Sequence, residues 1–117
     1  MPEITWVVVL TWLLVAFFVF GGVVNLIGPK QVMADFARWG YPSWFNLVTG
    51  VLELATGALL ALPGTRAIGL VLGGCIMLAA AGTVLLHREY GHAVPALVAA
   101  ALLVLVGWGT YAGTLAP

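Results

Sequence analysis

One carboxylate stands inside an otherwise uncharged, largely apolar run of this chain: Glu53, between Phe45 and Leu62. If that run crosses a bilayer, an ionised carboxylate near its centre costs about 2.5–3.5 kcal/mol or more. The neutral acid can instead donate a hydrogen bond or exchange a proton with a bound molecule. Asn46, Thr49, Glu53 and Thr56 follow one another at three- and four-residue steps, which places them on one stripe of a helix. Polar groups at membrane depth must face protein or a water-filled cavity, so the stripe should point inward. The plainer alternative is an acid bonded to Asn25 or a threonine that joins two helices, worth about 0.6–2 kcal/mol. Intramembrane ionisable residues are functional candidates by default, and Glu53 is the first catalytic candidate here.

The elements that must hold this stripe follow from composition. Of 117 residues, 63% are hydrophobic and 7% charged, with four Lys+Arg against four Asp+Glu. A soluble domain carries about a quarter charged residues, so too few polar side chains exist to clothe a water-soluble globule. Disordered chains are poor in apolar residues, which excludes that class. Four scattered basic residues cannot neutralise a phosphate track, so no nucleic-acid partner is expected. Four apolar runs approach the roughly 20 residues a spanning helix needs, at about 5–27, 45–62, 67–86 and 94–115. The first lacks the basic flank and cleavage site of a secretory signal. Leu62-Pro63-Gly64-Thr65-Arg66 reads as a tight turn, and His87 to His92 as a short polar loop. In the longer first connection Val32, Met33, Phe36 and Trp39 recur at helical spacing, the mark of an amphipathic helix lying in the interface. The expected fold is therefore all-α: one integral membrane four-helix bundle with a short interfacial amphipathic helix between its first and second spans. Gly69 and Gly73, with Ala80 farther along, and Gly50, Gly57, Gly109 and Gly113 offer close helix approach.

Matching depth at about 1.5 Å per residue brings several polar residues to the end that bears the first and third connections. Asn25 closes the first helix, Asn46 and Thr49 open the second, and Thr83 and His87 close the third. The expectation is a pocket opening toward those loops with Glu53 at its floor. The candidate ligand-binding set is Asn25, Asn46, Thr49, Glu53, Thr83 and His87, with Glu53 and His87 as the catalytic candidates. Taken singly, the asparagines and Thr49 also suit helix–helix bonding, and His87 an interfacial loop. His87 and His92 are five apart, not the i, i+4 pair of helical zinc sites, so no metal is assigned. A single histidine could ligate haem, but haem ranks below quinone. Cys75 reads as a packed, inert thiol. Trp6, Trp39 and Trp44 suit the interfacial belt, Trp12 and Trp108 suit lipid contact or packing, and Lys30, Arg38 and Arg66 suit headgroup anchoring. Lys30, Arg38 and Arg88 against Arg66 alone would put the termini outside.

The order of motifs resembles the DoxX-like family: FGGVVNLIGPK at the end of the first helix, GYP before the second, GVLELATGALLALPGTR across the second helix and its turn, and IMLAAAGTVLLHREY in the third. The resemblance spans roughly residues 20–90. Glu53 takes the family's GxxEL position, as Gly50-Val51-Leu52-Glu53-Leu54. The resemblance implies a four-helix membrane fold, a prokaryotic inner membrane location and a link to membrane redox chemistry, because the family is named for a small subunit of a thiosulfate:quinone oxidoreductase. Some animal relatives are assembly chaperones for ligand-gated channels, so fold does not fix function. With Cys75 as the one cysteine, electron transfer would need a bound quinone, haem or a redox partner subunit. The leading expectation is a subunit or binding protein for a lipophilic small molecule such as quinone, in contact with the lipid bilayer. The alternatives are an autonomous isomerase-type enzyme using Glu53 and a scaffold for another membrane protein. A homodimer or larger homo-oligomer fits either of the first two.

Overall fold

A computed structural model describes residues 5–115 of the chain. The side chains of Thr5 and Thr114 and the surroundings of Gly113 lie outside the described residues. Five helices follow in order: α1 (Thr5–Ile27), α2 (Lys30–Arg38), α3 (Phe45–Ala61), α4 (Arg66–Leu86) and α5 (Tyr90–Leu115), with a 3-10 turn at Pro63–Thr65 between α3 and α4. No strand occurs among the described residues. Among the described residues three segments are long and apolar enough to cross a membrane: Trp6–Ile27, Pro63–Leu86 and Tyr90–Ala112. The shorter α3 is apolar as well. Large apolar side chains face outward along these helices, among them Val9, Phe20, Val71, Leu78, Leu86 and Val104. Such a surface is intolerable in water and natural against lipid.

The four long helices close a ring in which α1 packs on α3, α3 on α4, α4 on α5 and α5 back on α1. The α1–α2 and α4–α5 connections meet at one end, called here the loop end. The start of α1, the end of α5 and the α3–α4 turn form the other. Val7, Leu14, Phe18, Leu60, Leu103 and Val106 fill the terminal half and are buried. The α1–α3 crossing is the tightest. A Cβ on Gly22 would stand 2.9 Å from the Gly50 carbonyl oxygen, and a Cβ on Gly50 would stand 2.9 Å from that of Gly22. On α4 the buried face runs Gly69, Gly73, Met77, Ala81 and Val84. Ala81, not Ala80, continues the small-residue face, because four-residue steps from Gly73 lead through Met77 to Ala81; Ala80 is exposed. Cys75 is exposed too, which replaces the packed thiol expected from its depth.

Both loop-end turns share one device. Gly40, at φ 86°, follows α2, and Tyr41 N–H donates to the Phe36 carbonyl at 3.0 Å while Gly40 N–H donates to Ala37 at 3.1 Å. Arg88, at φ 59°, follows α4, and Glu89 N–H donates to Val84 at 2.8 Å while Arg88 N–H donates to Leu85 at 3.0 Å. These are Schellman closures, with a left-handed residue just past the helix end. They place Tyr41 and Glu89 at equivalent positions, each turned back toward the bundle. The α4–α5 loop is accordingly shorter than expected. Helix α5 begins at Tyr90, not near Val94, and holds Pro95 inside. A proline there forfeits only one hydrogen bond, to the Gly91 carbonyl in the first turn, where polar surroundings can satisfy it.

The glycine crossing yields a direct expectation. Gly50→Ala should lower unfolding stability in detergent by about 1–3 kcal/mol, the cost of overpacking a tight contact. Gly82→Ala, at a site with nothing within 4 Å of an added Cβ, should be neutral or stabilise by up to about 1 kcal/mol through helix propensity. Thermal unfolding of the two variants checks this, and equal behaviour would contradict it.

Candidate functional site

The site grows from the meeting of α1 and α3. All four members of the α3 stripe turn inward: Asn46, Glu53 and Thr56 are buried and Thr49 is half-buried. Thr49 and Thr56 donate to carbonyls of their own helix, at 3.0 Å to Phe45 and 2.8 Å to Leu52. Asn46 Nδ2 crosses to the backbone oxygen of Asn25 at 2.8 Å. The Asn25 side chain in turn donates from Nδ2 to Glu53 Oε1. The second carboxyl oxygen lies against Gly21, where an added Cβ would stand 2.7 Å from Oε2. Only a residue without a side chain leaves that space, so Gly21 and Asn25, one helical turn apart, form a seat for the acid.

Beyond Glu53, toward the loop end, lies a cavity of about 360 Å³. Asn25 comes from α1, Phe45, Thr49, Leu52 and Glu53 from α3, and Ile76, Met77, Ala79, Ala80, Thr83 and Val84 from α4. Its roof is α2 with the residues after it: Val32, Asp35, Phe36, Trp39 and Tyr41, together with His92 from α5. The α3–α4 pair is tight near its turn, where a Cβ on Gly69 would come within 2.9 Å of the Leu60 backbone nitrogen. The cavity occupies the space between their other halves. Leu52, Ala79 and Ala80 line it and are themselves exposed, so it opens at the α3–α4 seam. The apolar face of α2 thus covers the end where an open mouth was expected.

Aromatic rings dominate the roof. Tyr41 stacks on Phe45 with centroids 4.4 Å apart and planes at 6°, and Phe36 meets Trp39, Tyr41 and Phe45 edge-on. Tyr41 Oη and Thr83 Oγ1 are 2.5 Å apart and tie the α2–α3 connection to α4. At the rim, Arg38 grips Glu89 in bidentate fashion, Nη2 to Oε1 at 2.7 Å and Nε to Oε2 at 3.1 Å. Trp39 Nε1 donates to the same carboxylate at 2.8 Å, and Arg38 also pairs with Asp35 at 2.9 Å. The Arg38 guanidinium and the Trp39 indole hold the Glu89 carboxyl down to about 2, and the two carboxylates push the Arg38 guanidinium up.

The expected set is brought together in part. Asn25, Thr49, Glu53 and Thr83 line the cavity. Asn46 lies beside it on a smaller hollow of about 200 Å³, with Met33, Phe36 and Tyr41. His87 does not reach the cavity. It caps α4 from outside, exposed, with Nδ1 donating to the Thr83 carbonyl at 2.8 Å, and His92 takes the place expected of it. Trp39 is a roof residue of the cavity. Arg38 is the grip on Glu89, and Arg66 Nε donates to the Leu60 carbonyl at 2.8 Å, closing the end of α3. A helix expected to lie in the interface does not by its spacing set its apolar face against the bundle, so the α2 roof residues stand outside the expected set. Val32, Phe36 and Trp39 at i, i+4 and i+7 are the signal that could have found them. Among the described residues no cluster of three His, Cys, Asp or Glu could hold a metal.

Compared with known families, residues 9–106 match the DoxX-like family. The chain belongs to the DoxX-like family. Its match takes in α1 from its second turn through most of α5, so every wall of the cavity lies within it. No curated protein and no solved structure matches the chain. In this DoxX-like protein Glu53 is the acid at the cavity floor.

The rim predicts a pH dependence. A carboxyl held below its ordinary value of 4.5 adds docking stability that is fully present above about pH 5 and lost as pH falls toward 2. Trp39 fluorescence should stay constant down to about pH 4 and then change with a midpoint near 2. In Glu89→Gln the acid transition should vanish. A wild-type midpoint at 4.5 would show that the grip does not form.

Proposed function

We propose that this DoxX-like membrane protein binds a lipophilic small molecule with a hydrogen-bonding ring head, of the quinone class, as a subunit or binding protein in membrane redox chemistry. The observation that carries the reading is one cavity in which a buried, asparagine-seated acid meets an aromatic wall. Its volume lies in the range of small-molecule sites, and its composition follows their pattern of apolar lining with a few placed polar groups. The opening at the α3–α4 seam gives an apolar tail a way into the acyl chains while the head lies inside. In this reading α3 crosses the bilayer with α1, α4 and α5, as one four-span unit with its termini outside, and a redox partner supplies or removes electrons. Glu53 exchanges the proton that accompanies them. The same acid favours a second reading, acid–base isomerisation of an apolar substrate, since Glu53 borders open space and is not sealed in packing.

The test is equilibrium binding of a decyl-tailed 1,4-benzoquinone to purified protein in detergent. Ala80→Trp fills the cavity from an exposed lining position, and should weaken binding at least tenfold without lowering thermal stability. Glu53→Gln keeps the shape but removes the acid, and should weaken binding by about threefold to tenfold, the worth of one hydrogen bond. Undiminished binding by Ala80→Trp would place the ligand elsewhere or nowhere.

A further inference from the structure

The ligand reading leaves open which oxidation state the cavity prefers, and the hydroxyl pair of Tyr41 and Thr83, which lines the same cavity as Glu53, bears on it. Thr83 Oγ1 lies 2.9 Å from the Ala79 carbonyl oxygen, which can only accept. The single Thr83 hydroxyl hydrogen is therefore given to Ala79. In the 2.5 Å contact between Tyr41 and Thr83, Tyr41 must then be the donor. With its hydrogen committed, Tyr41 Oη offers the cavity only acceptor lone pairs. The ring cannot easily turn to offer something else, because it is clamped in its stack on Phe45.

We infer that Tyr41 is a specificity-determining residue, and that the Tyr41–Thr83 pair makes the cavity prefer a ring bearing a hydroxyl over the same ring bearing a carbonyl. A quinol hydroxyl donates to Tyr41 Oη. A quinone carbonyl meets lone pairs there and can be accommodated only by breaking the Tyr41–Thr83 bond. Glu53 does not discriminate, since a carboxyl group in its acid form both donates and accepts. The inference rests on the quinone-class reading and goes beyond it by assigning the preferred form and the group that sets it.

The experiment compares binding of decyl-1,4-benzoquinol, kept reduced under argon, with that of decyl-1,4-benzoquinone. Wild-type protein should favour the quinol by about threefold to tenfold, the worth of one hydrogen bond. Tyr41→Phe keeps the stacked ring and should abolish the preference. Thr83→Val keeps the shape of α4 and frees the Tyr41 hydrogen for the ligand, so the preference should shift toward the quinone. A wild-type protein that binds both forms equally, or a Thr83→Val ratio unchanged from wild type in a protein of normal thermal stability, overturns the inference and leaves the ligand reading standing. Binding of neither form overturns the ligand reading itself.

Discussion

The hydrogen bond from Asn25 to Glu53 is the interaction around which the loop half of this bundle is organised. A carboxyl group buried in an apolar bundle must find polar partners in protein, since the apolar side chains around it offer none. Asn25 is the partner, and its own backbone oxygen accepts from Asn46, so three polar residues join α1 to α3. The bond forms only because the backbones run close together. The reciprocal contact of Gly22 and Gly50, and the space left at Gly21 for the second carboxyl oxygen, set that distance. Remove the glycines and the acid loses its seat; remove the acid and the polar stripe of α3 has less reason to face inward. Sequence, packing and site chemistry meet at one crossing.

The other half of the site is held from water. Helix α2 is short, has no buried residue of its own, and cannot be stable alone. It is fixed by its apolar face over the cavity and by the grip of Arg38 and Trp39 on Glu89. Exposed ion pairs are individually weak, but this one is bidentate and shares its carboxylate with an indole, which adds geometric definition. The Schellman closures of α2 and α4 aim Tyr41 and Glu89 back at the bundle. The cavity is therefore bounded by two kinds of contact, a seated acid at the floor and a charged grip at the rim, with the opening to the α3–α4 seam between them.

Much of this was legible in the chain. Long uncharged runs with turn residues between them define the helices, because lipid permits few other backbone solutions. The inward direction of Asn46, Thr49, Glu53 and Thr56 followed from spacing alone. Periodicity did not reveal which helix covers the loop end. The apolar face of α2 suits lipid and protein equally well, and only the fold decides between them. His87 and His92 could not be told apart for a similar reason. Their assignment depends on where α4 ends, and a non-glycine residue in the left-handed region, Arg88, stopped the helix and sent His87 outward. Ala80 and Ala81 differ by one residue and face opposite environments, a distinction that composition cannot make.

The proposed function puts a ring head in the cavity between Glu53 and the Tyr41–Phe45 stack. Anomalous diffraction from crystals soaked with a ring-brominated 1,4-benzoquinone tests it most directly. A bound ring head gives a bromine peak inside the cavity, within contact of Glu53 and Tyr41. Bromine found only against the outer apolar faces of the helices, with the cavity closed by neighbouring side chains, would contradict it.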